Sequence, residues 1–261
     1  ALKYVYGDAA NPETGWINLD RIWAEINDPR TRESVARRFY LNQRVRPPPA
    51  WLKYEEWMKC RRLRLKLNNG EKIAVGFKGT VSTKCAAFVG CRLTDGALFN
   101  LGIWEKPQGD AGDSWEANWD EIDSRAYNIL RNYDVQKMLC DPVSRRDVIS
   151  QWYTDAGKND AGKPTVEEFW FTNRGKFARI VEQFEEQVKA KRVVWENQDI
   201  CRHVLNAHTE EVPGGQIIRQ DTAHSDRFIA MAQAALLAVE AASLAIRDGA
   251  LAENDSYIFT F

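Results

Sequence analysis

At 261 residues, with 44% hydrophobic and 28% charged residues and only 16 Gly and 9 Pro, the chain has a globular composition, which excludes collagen-like, low-complexity and disordered classes. The length predicts one large domain, or one domain with a smaller appendage, and suffices to bury a core. Thirty-six Lys and Arg against 37 Asp and Glu leave a net charge of -1. The whole chain therefore has no attraction to nucleic acid or anionic membrane, and any such binding must use a local patch. The five cysteines, Cys60, Cys85, Cys91, Cys140 and Cys201, are odd in number and widely spaced. With no Cys-x-x-Cys pair and no ligand spacing among the histidines, they read as reduced, buried thiols of a cytosolic protein. A start at Ala1, without an initiator Met or an apolar leader, reads as an excised fragment.

Asn18 is placed to cap a helix over Leu19 to Ile26, Asp28-Pro29 breaks the chain, and Thr31 to Leu41 resumes helical periodicity. Arg46 followed by Pro47, Pro48 and Pro49 cannot continue a helix and reads as a stiff spacer. Residues 1–60 are thus expected to be a helical linker segment ahead of a domain at 61–261. From Leu63 the period changes. Leu63, Leu65 and Leu67 alternate with Arg62, Arg64 and Lys66, the pattern of a half-exposed strand with one basic face. Ile73 to Phe77 and Cys85 to Cys91 are short apolar runs, and Thr94-Asp95-Gly96 is a hairpin turn leading into Ala97 to Trp104. Three antiparallel strands are expected here. After a Trp-rich loop at Gly109 to Trp119 come a helix (Glu121 to Arg131), a buried strand (Val135 to Cys140), a helix (Ser144 to Ala156), a strand (Glu168 to Phe171) and an amphipathic helix (Gly175 to Lys191). That order implies parallel pairing. Ile217 and Ile218 suggest one more short strand. Phe228 to Ile246 is apolar but carries Gln233 and Glu240 between Arg227 and Arg247. It is expected to be a buried Ala-rich helix, capped by Ser225 and starting at Asp226, rather than a membrane span. An α/β chain with three antiparallel strands, then parallel strands, and helices on both faces of the mixed sheet has the pattern of the ribonuclease H-like fold.

In such a sheet the ends of neighbouring strands converge, so acids far apart in sequence can share a metal. Asp141 ends a strand and Asp226 opens the last helix. Each also has an ordinary reading, as a turn starter before Pro142 and as a first-turn acid favoured by the helix dipole. For phosphate contact the candidates are Arg62, Arg64 and Lys66 on one strand face, Arg145 and Arg146 beside Asp141, and Lys189, Lys191 and Arg192 at a helix end; the alternative for each cluster is a solvated face. The ten tryptophans, among them Trp104, Trp115, Trp119, Trp152, Trp170 and Trp195, read as packing residues rather than base-stacking platforms.

The run Gly76-Phe77-Lys78-Gly79-Thr80, followed by Cys85-Ala86-Ala87-Phe88-Val89-Gly90, Asp95-Gly96, Leu101-Gly102-Ile103-Trp104-Glu105, Cys140-Asp141-Pro142 and Ser225-Asp226-Arg227-Phe228-Ile229, resembles the nuclease domain of large terminase subunits from tailed double-stranded DNA phages. The resemblance covers roughly residues 63 to 247. Residues 15 to 60 resemble the segment joining that family's ATPase domain to its nuclease, and no Gly-x-x-x-x-Gly-Lys-Ser/Thr loop occurs in this sequence. The resemblance implies a ribonuclease H-like endonuclease that cuts concatemeric duplex DNA in the cytoplasm of the infected bacterial cell. It also implies two divalent ions, Mg²⁺ or Mn²⁺, held by carboxylates. The implied partners are duplex DNA, the ATPase domain, the portal and the small terminase subunit, with no membrane. Two-metal hydrolysis needs clustered acids, because ions about 4 Å apart activate the water and stabilise the leaving oxygen. Asp141 and Asp226 match two of the family's acidic positions, whereas Lys78 and Lys84 stand where the family carries Asp. Two reversals from acid to base at the expected metal centre imply inactivation, engineered or natural, with the Lys78 ammonium against Asp141 or Asp226 in place of a metal. Arg145 and Arg146, nearest that centre, are the leading contacts to DNA. The competing readings are a noncatalytic DNA-binding or assembly module of the same fold, with Lys78 and Lys84 on phosphate, and another ribonuclease H-like nuclease of resolvase or transposase type.

Overall fold

The computed structural model describes residues 2–28, 31, 36–43, 49–79, 84–107, 112, 115–222 and 225–252. It divides into two compact units, Ala1–Pro47 and Pro48–Phe261. In the first unit α1 (Leu2–Tyr6) runs into a short 3₁₀ turn, and α2 (Leu19–Ile26) follows. Asn18 caps α2 as its sequence position requires, its side chain accepting from the amides of Asp20 and Arg21. The described part of the expected helix at Thr31 to Leu41 is a wide-turned segment, Ala36–Tyr40, in which the Leu41 amide reaches back to the Ala36 carbonyl; residues 32–35 lie outside the described residues. The Tyr40 hydroxyl donates to Glu25 at 2.7 Å, joining that segment to α2. Of the proline spacer only Pro49 falls among the described residues.

The second unit begins ahead of the expected start at residue 61, because Trp51, Leu52, Trp57 and Cys60 belong to its core. Trp57 lies in a short helix, α3 (Tyr54–Met58), is fully buried and stacks on Trp195 with ring centroids 5.0 Å apart. A six-stranded sheet follows: β1 (Lys72–Lys78), β2 (Cys85–Arg92), β3 (Ala97–Glu105), β4 (Asp134–Cys140), β5 (Val166–Glu168) and β6 (Val194–Trp195), in the spatial order β5-β4-β1-β2-β3-β6. β1 to β3 are antiparallel neighbours, while β4 pairs parallel with both β1 and β5. β1 is therefore central, flanked by β2 and β4, as its apolarity on both faces demands. Helices cover both faces.

The alternation along β1 decides which helix lies where. Ile73, Val75 and Phe77 join the large side chains of one face, where α4 (Trp119–Asn132) and α5 (Arg146–Ala156) contribute Ile122, Ile149 and Trp152. The other face of β1 and β2 is built of small residues, Ala74, Gly76, Cys85 and Ala87, and carries α8 (Ala230–Arg247). A Cβ at Gly76 would lie 2.0 Å from the Ala234 carbonyl oxygen, so strand and helix backbones touch there. This close approach explains the Ala-rich composition of α8, which is long and apolar enough to cross a membrane by length alone yet is 72% buried in the core. α6 (Arg174–Lys189) and α7 (Gln198–Asn206) complete that layer.

Several expectations are corrected. Residues 62–67 form no strand: Arg64 takes a left-handed backbone (φ 63°), and the amides of Arg64 and Leu65 both donate to the Glu196 carboxylate. Arg62, Arg64 and Lys66 consequently do not share a strand face. The strand expected at Glu168 to Phe171 ends at Glu168. Ile217 and Ile218 lie in β8 (Gly215–Arg219), which pairs with β7 (His208–Val212) in a separate two-stranded sheet. The last helix starts at Ala230, not Asp226, and Ser225 Oγ caps a local turn by accepting from the Arg227 amide at 3.1 Å.

Candidate functional site

β1 and β4 run parallel in a register that pairs Phe77 with Cys140, so Lys78 and Asp141 leave the sheet side by side at the same end. The Asp141 amide donates to the Phe77 carbonyl at 3.1 Å, extending the ladder by one bond. Asp141 is buried, at 1% exposure, and its Oδ2 is in contact with the Lys78 ammonium, which also donates to the Gly79 carbonyl at 2.9 Å. Oδ1 accepts from the Val143 amide at 3.3 Å. The Phe171 ring lies 5.1 Å from Lys78 Nζ, a cation–π contact. The Lys78 side chain is 12% exposed, so the pair is shielded from water and held from three directions. Beside it, Gly79 packs against Ser144, whose buried Oγ has no hydrogen-bond partner among the described residues.

Of the four residues expected at a metal centre, the fold brings these two together. Asp226 sits in an exposed turn ahead of α8, and Lys84 is half-buried where β2 begins; among the described residues neither forms an ion pair. A pair of divalent ions does not fit this arrangement. It needs several carboxylates converging on one point, whereas the Asp141 carboxylate already has one oxygen on the Lys78 ammonium and the other on the Val143 amide.

Sequence spacing gave no sign of a second cluster at the same end of the sheet. Cys85, Glu105 and His203 bring their Sγ, carboxylate and imidazole atoms within 4.8 Å of one another. The hydrogen bonds assign the imidazole protonation. The Met231 amide, in the first turn of α8, donates to His203 Nδ1 at 3.1 Å, so the proton sits on Nε2 and is donated to Glu105 Oε1 at 2.8 Å. A metal on Nε2 would move the proton to Nδ1, directly against the Met231 N–H, so this trio reads as a clamp between β3, α7 and α8 rather than as a metal centre. Burial alone would raise the Glu105 carboxyl; the bonds from His203 and the two-pronged Arg202 guanidinium outweigh it and bring it down to about 2. Burial pushes the Cys85 thiol strongly upward, so it stays protonated.

Arg145 and Arg146 follow Asp141 at the start of α5, and both are already engaged. Arg145 grips Asp147 through Nε and Nη2 and lies 5.4 Å over the Trp119 ring. Arg146 grips Glu168 and lies 5.6 Å over Trp170. Trp57, Trp152 and Trp195 are core residues as expected, but Trp170 departs from the packing reading: it is 40% exposed.

A mixed, doubly covered sheet with polar side chains gathered where its central strands end defines a ribonuclease H-like α/β domain. Its fold is that of phage large-terminase nuclease domains. It is similar to the HK97 bacteriophage large terminase at a TM-score of 0.55 and 18% identity, covering 87% of this chain and 55% of that one. It is also similar to the magnesium-bound large terminase nuclease of thermophilic phage G20c at a TM-score of 0.50 and 13% identity, covering 66% and 84%. In sequence the chain is 29% identical over 246 residues to the Gene 13 proteins of Mycobacterium phages L5 and D29, a match taking in 88% of this chain. It spans 41% of the length of those relatives. No family model matches the chain.

Proposed function

We propose that the chain is the nuclease-type domain of a viral DNA-packaging motor whose metal centre has been replaced by the Lys78–Asp141 ion pair. On this reading it engages duplex DNA without cutting it, inside the infected bacterial cell. Its partners are an ATPase domain, the portal and the small terminase subunit. The terminase nuclease fold supports the packaging role. The observation that carries the loss of cutting is the ammonium of Lys78 on a buried carboxylate at the ends of the central parallel strands. There it supplies the charge compensation that a cation would otherwise provide, and it cannot activate water as a Lewis acid. On this reading Arg145 and Arg146 contact the DNA only once its phosphates displace Asp147 and Glu168.

Plasmid nicking by four proteins tests the proposal: the unaltered chain, the double variant Lys78→Asp, Lys84→Asp, and that variant carrying in addition Asp141→Asn or Asp226→Asn. The unaltered chain should leave supercoiled DNA intact with Mg²⁺ or Mn²⁺. The double variant should nick it, and the added Asp141→Asn should abolish the nicking, whereas a loss on the added Asp226→Asn would bring the exposed turn ahead of α8 into the centre as well. Robust cutting by the unaltered chain, or silence of the double variant with every divalent ion, would sink the assignment. Silence together with retained duplex binding would favour the noncatalytic DNA-binding module instead.

A further inference from the structure

Arg145 and Arg146 are poor phosphate attractors as they stand. Each guanidinium is compensated by a carboxylate, Asp147 at 2.8 to 3.2 Å for Arg145 and Glu168 at 2.8 Å for Arg146. The four groups sum to no net charge, so a bound phosphate would have to displace a carboxylate first. What these groups present instead is planar surface. Glu168 fixes two partners at once: one oxygen takes Arg146 Nε, and the other accepts the Trp170 indole N–H at 3.1 Å. The indole is thereby locked in orientation, with the Arg146 guanidinium carbon 5.6 Å from its ring centre. Trp170 nevertheless remains 40% exposed, although an aromatic of that size usually buries its rings. It precedes Phe171, whose ring touches Lys78, and so stands at the rim of the site. Arg146 and Glu168 also border a groove of about 360 Å³ in which Tyr153, half-exposed and two turns along α5 from Arg146, offers a second aromatic surface.

We propose that Trp170, held by Glu168 and faced by Arg146, is a stacking platform for an unpaired nucleobase of a DNA strand lying at the Lys78–Asp141 site. The inference rests on the DNA-binding reading given above and adds to it the form of DNA recognised: a single-stranded tail or a locally opened stretch rather than paired duplex. In a duplex every base face is already covered by its neighbours, so an indole at the rim gains nothing from it, whereas an unpaired base has a free face. Stacking also differs from phosphate contact in being weakly dependent on salt.

Fluorescence anisotropy with a labelled 20-nucleotide oligothymidylate and a blunt duplex of equal length, at 50 and 200 mM salt, separates the two. The unaltered chain should bind the oligothymidylate, with an affinity that falls somewhat less between 50 and 200 mM salt than its affinity for the duplex. Trp170→Ala should weaken oligothymidylate binding by about fivefold or more, since stacking of a base on an aromatic side chain is worth about 1–3 kcal/mol, and should leave duplex binding unchanged. Trp170→Phe, which keeps an aromatic face but loses the bond to Glu168, should retain most of the affinity. Melting temperatures of both variants matching the unaltered chain confirm that folding is intact. Oligothymidylate binding by Trp170→Ala equal to that of the unaltered chain would overturn the inference, as would an equal loss for both DNAs or no binding of oligothymidylate at all. Loss of duplex binding alone, with the stacking effect preserved, would count against the packaging-nuclease reading and leave this one standing.

Discussion

Two side-chain arrangements at the sheet end carry most of the local energetics, and they respond to different perturbations. Lys78 and Asp141 form a shielded pair, so removing one partner strands the other's charge. Breaking such a pair costs about 3–5 kcal/mol, whereas replacing both charges by apolar side chains of similar size is often neutral. Asp141→Asn should therefore lower the urea midpoint substantially, while Lys78→Met combined with Asp141→Leu should restore it to near the starting value. Equal destabilisation by the single and double changes would show that packing, and not charge, dominates at this point. Glu105 makes the site sensitive to acid. Its folded carboxyl is held near 2 against an ordinary value of 4.5, so its contribution is fully present above about pH 4.5 and is lost as pH falls toward 2, amounting to about 3 kcal/mol in all. Urea midpoints measured from pH 5 to pH 3 should fall less steeply in Glu105→Gln than in the unaltered chain. Parallel slopes would mean that Glu105 is not held down by His203 and Arg202.

At the scale of elements, the contact between β1 and α8 is the most demanding in the fold. Gly76→Ala places a methyl group 2.0 Å from the Ala234 carbonyl oxygen and 2.6 Å from the Ala238 nitrogen, and two backbones cannot yield as a flexible side chain can. The expected loss is about 3 kcal/mol, at the upper end for overpacking, read as a fall in melting temperature. A loss below about 1 kcal/mol would show that α8 can shift away from the sheet. The elements legible in the sequence were those with both faces buried. β1 and β2 are apolar nearly throughout, β4 ends in Met138, Leu139 and Cys140, and α8 is betrayed by its Ala content. Leu63 to Leu67 imitated a strand because alternating apolar and basic residues carry the same pattern whether or not a neighbouring strand exists. Here the amides of Arg64 and Leu65 found the Glu196 side chain, more than 130 residues away. β7 was invisible because His-Thr-Glu-Glu-Val has no apolar face, and its pairing is set by the turn at Pro213 and Gly214. In the site, Asp141 was found because it follows an apolar strand, and Lys78 because the resemblance places an Asp where it stands. Glu105, Arg202 and His203 were not, since their association depends on α7 folding back over β3, which no local spacing records.

The second unit is organised around a core that reaches back before the nuclease-like sheet begins. Trp51, Leu52, Trp57 and Cys60 are buried at 6%, 5%, 0% and 1% exposure. Trp57 meets Trp195 and Phe184, and the Trp51 indole donates to Glu185 at 3.0 Å. Pairing continues through the same segment: the Trp51 amide bonds the Ala207 carbonyl, and the Arg62 amide bonds the Trp195 carbonyl. A fragment of residues 48–261 retains all of these contacts, whereas a fragment of residues 61–261 loses two tryptophans, a leucine and a cysteine from the core. Truncating a single buried aromatic residue commonly costs about 3–5 kcal/mol, and a domain of this size has only about 5–15 kcal/mol in reserve. The longer fragment should therefore unfold cooperatively, with a melting temperature close to that of the full chain. The shorter one should unfold well below it or be recovered as an aggregate, with Trp195 and Phe184 left uncovered. Circular dichroism melts of the two fragments beside the full chain decide the point: matching melts for both would place the start of the domain at residue 61, and failure of both would mean that residues 1–47 are required for the second unit to fold.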